Sequence, residues 1–188
     1  MLNFQLFNDL KFIETIQYES GLCKYGPLSI AYIRDGLINC HFMAKDPFLG
    51  QLKNEFPNIH LTETNTSYFS SVLQFIEGTA ETSLNLIIRG TPFQLDIWKN
   101  IVNIKKGQTI SYKKLAERSG YPNAIRAVGA AVGANSFAFL IPCHRILYSN
   151  GKTGHYRWGN GLKIKILEDE IPGLKLQYSK TLFDEGDQ

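Results

Sequence analysis

The chain has 188 residues, of which 44% are hydrophobic and 20% charged, and a formal net charge of +3. That length and balance suit a folded protein of one or two domains and exclude a disordered or low-complexity chain. No apolar run approaches the roughly 18 residues of a membrane-spanning helix, and the first twenty residues carry Asp9, Glu14 and Glu19 where a signal segment would be basic and apolar.

The three cysteines, Cys23, Cys40 and Cys143, fall at no disulfide-framework spacing. They fit a reducing compartment with at least one free thiol, so a cytoplasmic, nucleoid-associated location is expected. The net charge conceals a division: residues 89–170 hold 13 Lys and Arg against 5 Asp and Glu, whereas residues 1–88 hold 5 against 9. The basic half suits a polyanionic partner.

In chain order, two β-prone segments at 28–33 and 37–42 flank Arg34-Asp35-Gly36, a hairpin signal because Asp-Gly accepts the positive φ of a tight turn. Residues 47–56 and 66–76 read as helices, the second with Phe69, Val72, Leu73 and Ile76 on one face and Gly78 as its stop. A strand is expected at 84–88, and the seam between halves at Arg89-Gly90. The expected division is 1–88, 89–172 and a tail 173–188, whose acidic end Asp184-Glu185-Gly186-Asp187-Gln188 reads as a frayed terminus.

The basic half opens with Thr91 as N-cap, Pro92 at the first helical position and Gln94 closing a capping box. Phe93, Ile97 and Ile101, with Trp98 beside them, give this helix a core face. After the short segment Thr109-Ile110-Ser111, helices are expected at 112–118 and 123–134, broken at Ser119-Gly120-Tyr121-Pro122: a helix-turn-helix. The second of these carries Ala124, Ala127, Gly129, Ala130, Ala131, Gly133 and Ala134, with Arg126 as its one charged side chain. Glycine inside a helix costs roughly 1 kcal/mol relative to alanine, and close backbone approach is the usual compensation. The approaching surface is either another helix of the core or the wall of a nucleic-acid groove, and in a groove a lone arginine can enter the minor groove or the base stack.

Ile141-Pro142-Cys143-His144-Arg145-Ile146 sets a cysteine between a proline and a histidine at the end of an apolar run. Proline stops the run, and a neighbouring imidazole can draw the proton off a sulfur that reacts only as thiolate. The competing reading is a buried, inert cysteine.

Gly90-Thr91-Pro92-Phe93-Gln94 with Trp98, Arg126-Ala127-Val128-Gly129, Asn135, Pro142-Cys143-His144-Arg145 and Tyr156-Arg157-Trp158-Gly159 occur in an order and spacing that resembles the O6-alkylguanine-DNA alkyltransferases, or methylated-DNA-protein-cysteine methyltransferases. The resemblance is dense over 89–170 and extends to the N-terminal half only in general layout. It implies an α+β protein with an N-terminal ribonuclease-H-like α/β domain and a mostly helical, winged-helix-like C-terminal domain carrying the helix-turn-helix. It also implies direct DNA repair: a stoichiometric, irreversible transfer of the alkyl group, mainly methyl, from O6-alkylguanine to Cys143, after the nucleotide is flipped out through the minor groove.

Residue by residue, the resemblance makes His144 the base, acting through a water, and Glu170 its orienting carboxylate, with Glu168 the competing position. Tyr112 supplies a proton at guanine N3, Arg126 takes the place of the extruded nucleotide, and Asn135 ties the recognition helix to the thiol segment. Ala127, Gly129, Ala130 and Gly133 complete the DNA-facing helix surface, and Tyr156, Arg157, Trp158 and Arg145 belong to the substrate pocket. The bulk of Trp158 is expected to admit methyl and disfavour benzyl groups. The implied partner is double-stranded DNA containing O6-alkylguanine, bound by a monomer, away from membranes, with a strong salt dependence and little sequence preference. No cofactor is expected, because the alkyl group arrives on the DNA. Cys23, Cys40, His41 and His60 match no zinc spacing, so neither is a structural zinc.

Three rival functions use parts of the same sequence. A non-catalytic sensor of alkylated DNA would share the helix-turn-helix and Arg126 but lack the acceptor cysteine. A cysteine hydrolase would use Cys143 and His144 as a dyad and leave the basic helices without purpose. A winged-helix regulator would leave Pro142-Cys143-His144-Arg145 and Glu170 unexplained.

Overall fold

The computed structural model describes residues 2–6, 13–80, 83–174 and 176, so the acidic end of the expected tail lies outside the described residues. Among these residues the fold is α+β, with a mixed six-stranded sheet and six α-helices. The strands are β1 (Leu2–Leu6), β2 (Thr15–Cys23), β3 (Gly26–Ile33), β4 (Gly36–His41), β5 (His60–Glu63) and β6 (Leu84–Ile88), in the order β1-β6-β4-β3-β2-β5. β2, β3 and β4 form an antiparallel meander, whereas β1 and β6, β4 and β6, and β2 and β5 pair in parallel. β4 is buried at every position, as a central strand covered on both faces must be.

The hairpin expected around Arg34-Asp35-Gly36 is the β3–β4 pair, and the expected strand at 84–88 is β6. β1, β2 and β5 are not among the expected strands; β1 is only five residues long, though Leu2, Asn3, Phe4 and Gln5 alternate in burial, and β2 and β5 carry no clear alternation. β2 includes Glu19, Ser20 and Gly21, and β5 is a four-residue strand at the sheet edge. Helix α1 (Lys45–Glu55) buries Phe48 and Leu52 against Ile16, Ala31, Ile33, Ile38 and Ile87. Helix α2 (Ser67–Glu77) starts at Thr66, whose hydroxyl accepts from Tyr68 N, and ends at Gly78, whose φ of 80° is the left-handed cap glycine tolerates. The Thr66 and Tyr32 hydroxyls also donate to Glu19 Oε1 at 2.6 and 2.7 Å, so the capping residue helps hold a buried carboxylate.

The chain forms two compact units, Met1–Thr91 with Ser136–Leu140, and Pro92–Asn135 with Ile141–Gln188. A single cut at 88/89 misses the return of 136–140 to the first unit. That short segment joins by backbone bonds, Cys40 N to Ser136 O at 2.9 Å and Ala138 N to Cys40 O at 2.7 Å, which leave no mark on side-chain pattern. Phe139 holds a φ of 63°, unusual for a residue with a Cβ, while its ring packs 5.7 Å from that of Tyr25.

The second unit contains α3 (Pro92–Val102), α4 (Tyr112–Arg118), α5 (Ile125–Gly133) and α6 (Asn160–Glu170), with β7 (Ile110–Ser111) and β8 (Ile146–Leu147) pairing in parallel. α3 begins at Pro92 and buries Leu95, Ile97, Trp98 and Ile101. Trp98 Nε1 donates to Ala131 O at 2.9 Å, fixing α3 against α5. Ser111 caps α4 by accepting from Lys114 N, and the turn that follows is held by Tyr121, whose hydroxyl donates to Asp96 at 2.9 Å. α5 starts two residues later than expected because Ala124, at φ −107° and ψ 34°, is not helical. Of its two glycines only Gly129 is interior; Gly133 is the last helical residue.

Candidate active site

Pro142 ends the apolar run, and Cys143–Arg145 form a single 3-10 turn leading into β8. Cys143, His144 and Arg145 are all buried. Asn135, just past the end of α5, sends Nδ2 to both Ile141 O at 3.0 Å and Cys143 Sγ at 3.1 Å. Its own carbonyl accepts from Arg157 Nη1 at 3.0 Å. One amide thus fixes the segment before the thiol and the sulfur itself.

Burial pushes the Cys143 thiol up, against opposing pulls from the Asn135 hydrogen bond and the charges of Lys163 and Arg157. The resting sulfur is therefore protonated, and a base must take its proton before it can act as a nucleophile. His144 lies on the same turn and is fully buried, with Nε2 3.3 Å from Glu170 Oε1. Burial lowers the His144 pKa and the carboxylate partly restores it, leaving the imidazole neutral at physiological pH and able to accept a proton.

Glu170, at the end of α6, is the carboxylate brought to His144, while Glu168 on the same helix is exposed. Burial alone would raise the Glu170 carboxyl, but hydrogen bonds from His144 and Arg145 outweigh it and hold the carboxyl at about 2. Arg145, expected in the substrate pocket, is instead turned inward. Its Nε and Nη2 grip the two Glu170 oxygens at 2.8 and 2.6 Å, and Nη1 donates to Ile104 O at 2.6 Å. The reason is charge: a carboxylate buried to this degree needs a cation, and the guanidinium fork supplies it in two bonds.

Lys163 is the residue that sequence reasoning missed. It is fully buried on α6, donates to Ile146 O at 2.6 Å, and burial lowers its pKa to about 8, with Cys143 close enough to oppose that drop. The signal was present: Lys163, Ile166, Leu167 and Glu170 form the buried stripe of α6, so a lysine stands in line with its apolar residues.

Tyr112, the first residue of α4, is 9% exposed, and burial, Tyr148 and Cys143 together raise its pKa, so the phenol keeps its proton. A Cβ on Gly154 would lie 2.8 Å from Tyr112 Cε2 and closer still to its hydroxyl, so only glycine lets this loop pass the phenol. Gly154→Ala is expected to displace Tyr112 and slow any reaction that depends on it by on the order of 100-fold. Single-turnover kinetics of the variant, with circular dichroism to confirm the fold, check this.

Tyr112 also lines a cleft of about 440 Å³ with Lys113, Ile125, Arg126, Gly129, Gly133, Tyr148, Ser149 and His155. Ala127, Ala130 and Gly133 are exposed, and a Cβ added at Gly129 or Gly133 would meet nothing within 4 Å. Gly129 and Gly133 of α5 thus open on the cleft, with the exposed Arg126 in the same lining. Tyr156 is buried at 3% exposure, its ring edge-on to Trp158 at 5.1 Å with Lys163 Nζ 6.0 Å from its centre.

The second unit thus combines a buried, asparagine-held thiol, a His–Glu–Arg cluster and a helix-turn-helix, the layout of a thiol-bearing protein with an exposed recognition-type helix. The profile of the "6-O-methylguanine DNA methyltransferase, DNA binding domain" matches residues 92–171. The inducible methylated-DNA--protein-cysteine methyltransferase of Bacillus subtilis is 36% identical over 122 residues, 63% of this chain and 68% of that protein. The bifunctional transcriptional activator/DNA repair enzyme Ada of Escherichia coli is 32% identical over 82% of this chain and 45% of its own length. Mycobacterium tuberculosis OGT, solved in complex with DNA, superposes with a TM-score of 0.67 at 30% identity, covering 82% of this chain and 92% of that one. The chain belongs to the methylated-DNA--protein-cysteine methyltransferase family. The match spans 36% of the regulatory protein ada of Salmonella typhimurium, 45% of the Escherichia coli Ada and 53% of the methylated-DNA--protein-cysteine methyltransferase of Kluyveromyces lactis, about half of each protein at most. Among the described residues no helix is long and apolar enough to cross a membrane.

Proposed function

We propose that the protein repairs double-stranded DNA by moving the alkyl group, mainly methyl, from O6 of guanine to Cys143 in a single, irreversible turnover. The observation that carries this reading is the buried Cys143 thiol, hydrogen-bonded by Asn135 at 3.1 Å and within electrostatic reach of Tyr112, which lines the cleft under α5. His144, oriented by Glu170, takes the Cys143 proton through a water molecule, and the Lys163 charge favours the thiolate. The sulfur attacks the alkyl carbon, a C–S bond forms, the C–O6 bond breaks, and its electron pair passes into the guanine. Tyr112 protonates N3 of the departing base and regains a proton that His144 returns through solvent. The thioether has no facile leaving group, so the protein ends alkylated.

Guanine reaches the thiol only outside the base stack, at a cost of a few kcal/mol in unstacking and unpairing. Arg126 fills the gap it leaves, and the open face of Ala127, Gly129, Ala130 and Gly133 lets the helix backbone approach the minor groove. Arg145 acts through Glu170 as a positioning residue rather than on the base, and Arg157 acts through Asn135. The protein works as a cytoplasmic monomer. The antiparallel meander continued by parallel strands supports a ribonuclease-H-like reading of the first unit, and the helix-turn-helix with the β7–β8 pair supports a winged-helix-like reading of the second.

Duplex DNA carrying radiolabelled O6-methylguanine tests the reaction. One methyl per chain, with no further uptake from excess DNA, is the expected result; binding of the lesion without transfer overturns the reading in favour of a sensor. Neither Tyr156 nor Trp158 lines the cleft, but on the reading that the Tyr156–Trp158 pair walls and crowds the base pocket beyond it, free O6-benzylguanine is expected to inactivate the protein slowly. Loss of transfer activity within minutes at micromolar inhibitor would contradict that crowding.

A further inference from the structure

We propose that Tyr148 is a base-stacking residue by which the cleft of the second unit holds single-stranded DNA, a role that rests on the alkyl-transfer reading of the neighbouring site. Three large hydrophobic side chains are exposed among the described residues, Leu22, Ile125 and Tyr148, and two of the three, Ile125 and Tyr148, line this one cleft. Arg126 and Lys113 stand in the same lining and supply cations for phosphates.

The accessible aromatic face in the cleft belongs to Tyr148, which is 51% exposed, and not to Tyr112, which is 9% exposed. The two ring centroids are 5.3 Å apart at 44°, so the rings touch. A base sandwiched between them would need a separation of roughly 7 Å. A nucleobase can therefore stack only on the outer face of Tyr148. The backbone behind that ring is fixed: Tyr148 N donates to Lys152 O and Gly151 N donates to Tyr148 O, each at 2.9 Å, and Leu147 bridges Thr153. A ring held out by a closed loop loses little freedom when a base lands on it. Bases in a duplex already have both faces covered, whereas an unpaired base has a face to give, so this contact favours the single strand.

The test uses the full chain and fluorescence anisotropy with an end-labelled, unmodified oligonucleotide, single-stranded and as a duplex of the same sequence. Tyr148→Ala is expected to weaken single-strand binding about tenfold and duplex binding by less, and Tyr148→Phe to keep parental affinity for both. Parental single-strand affinity in Tyr148→Ala, or an equal loss on both forms of DNA, overturns the proposal. Methyl transfer by the unaltered protein is scored separately: its absence overturns the alkyl-transfer reading, whatever the binding comparison gives.

Discussion

Cys143→Ala is expected to abolish labelled methyl transfer while leaving the protein folded and able to bind DNA. Cys40 cannot substitute. Cys40 is wholly buried in β4, its thiol reaches Ala138 O at 3.6 Å, and burial pushes its pKa far above the ordinary thiol range, so neither nucleophile nor access is available there. Cys23 lies at the end of β2 in the first unit. The stability effect should be modest, because Asn135 Nδ2 loses the sulfur acceptor of one of its two hydrogens but keeps Ile141 O for the other. A change of about 1 kcal/mol is the scale for one hydrogen bond of this kind. Peptide mapping after reaction with labelled DNA checks the site: label on any peptide other than that of Cys143, or undiminished uptake in the variant, contradicts the assignment.

Glu170→Gln should have the largest effect on stability, about 3–5 kcal/mol in chemical denaturation. The reason lies less in the lost bonds than in what remains. Glutamine can still accept a hydrogen bond, but the Arg145 guanidinium keeps its charge in a buried site where the amide oxygen and Ile104 O are neutral acceptors and the carboxylate's negative charge is gone. Removing that charge as well, in Arg145→Met with Glu170→Gln, should recover part of the loss, and a double-mutant cycle reads the coupling directly. Where the single variant remains folded, methyl transfer should slow by roughly 10²–10⁴-fold, since His144 loses the partner that orients it.

The same carboxylate ties stability to pH. Its folded value, about 2, lies below the roughly 4.3 of a free glutamate. Between those values the unfolded chain binds more protons than the folded one, so the stabilisation is complete above the higher value and lost as pH falls through the lower. Acid denaturation of Glu170→Gln should lack this contribution, and overlapping acid limbs for variant and parent would contradict the assignment.

The residues that punctuate the chain made much of the fold legible in advance. Asp35-Gly36 marks a hairpin, Pro92 opens α3, Gly78 ends α2, and Ser119-Gly120-Tyr121-Pro122 separates α4 from α5, each because the backbone there admits few alternatives. Pro142-Cys143-His144-Arg145 likewise drew attention to a thiol before its surroundings were known. The edge strands escaped notice for different reasons: β1 alternates but is only five residues long, and the four-residue β5 has no alternation to read.

What the sequence by itself determined, then, was local: where helices start and stop, which half is basic, and which cysteine stands beside a histidine. Only tertiary structure decided that Glu170 rather than Glu168 meets His144, that Arg145 faces the carboxylate and not the pocket, that Lys163 lies buried near the sulfur, and that 136–140 joins the first unit. Local pattern follows from backbone geometry and periodicity, which neighbours in sequence share. Pairing of buried charges follows from the exclusion of water, and which side chains lose water together is fixed only when distant elements pack.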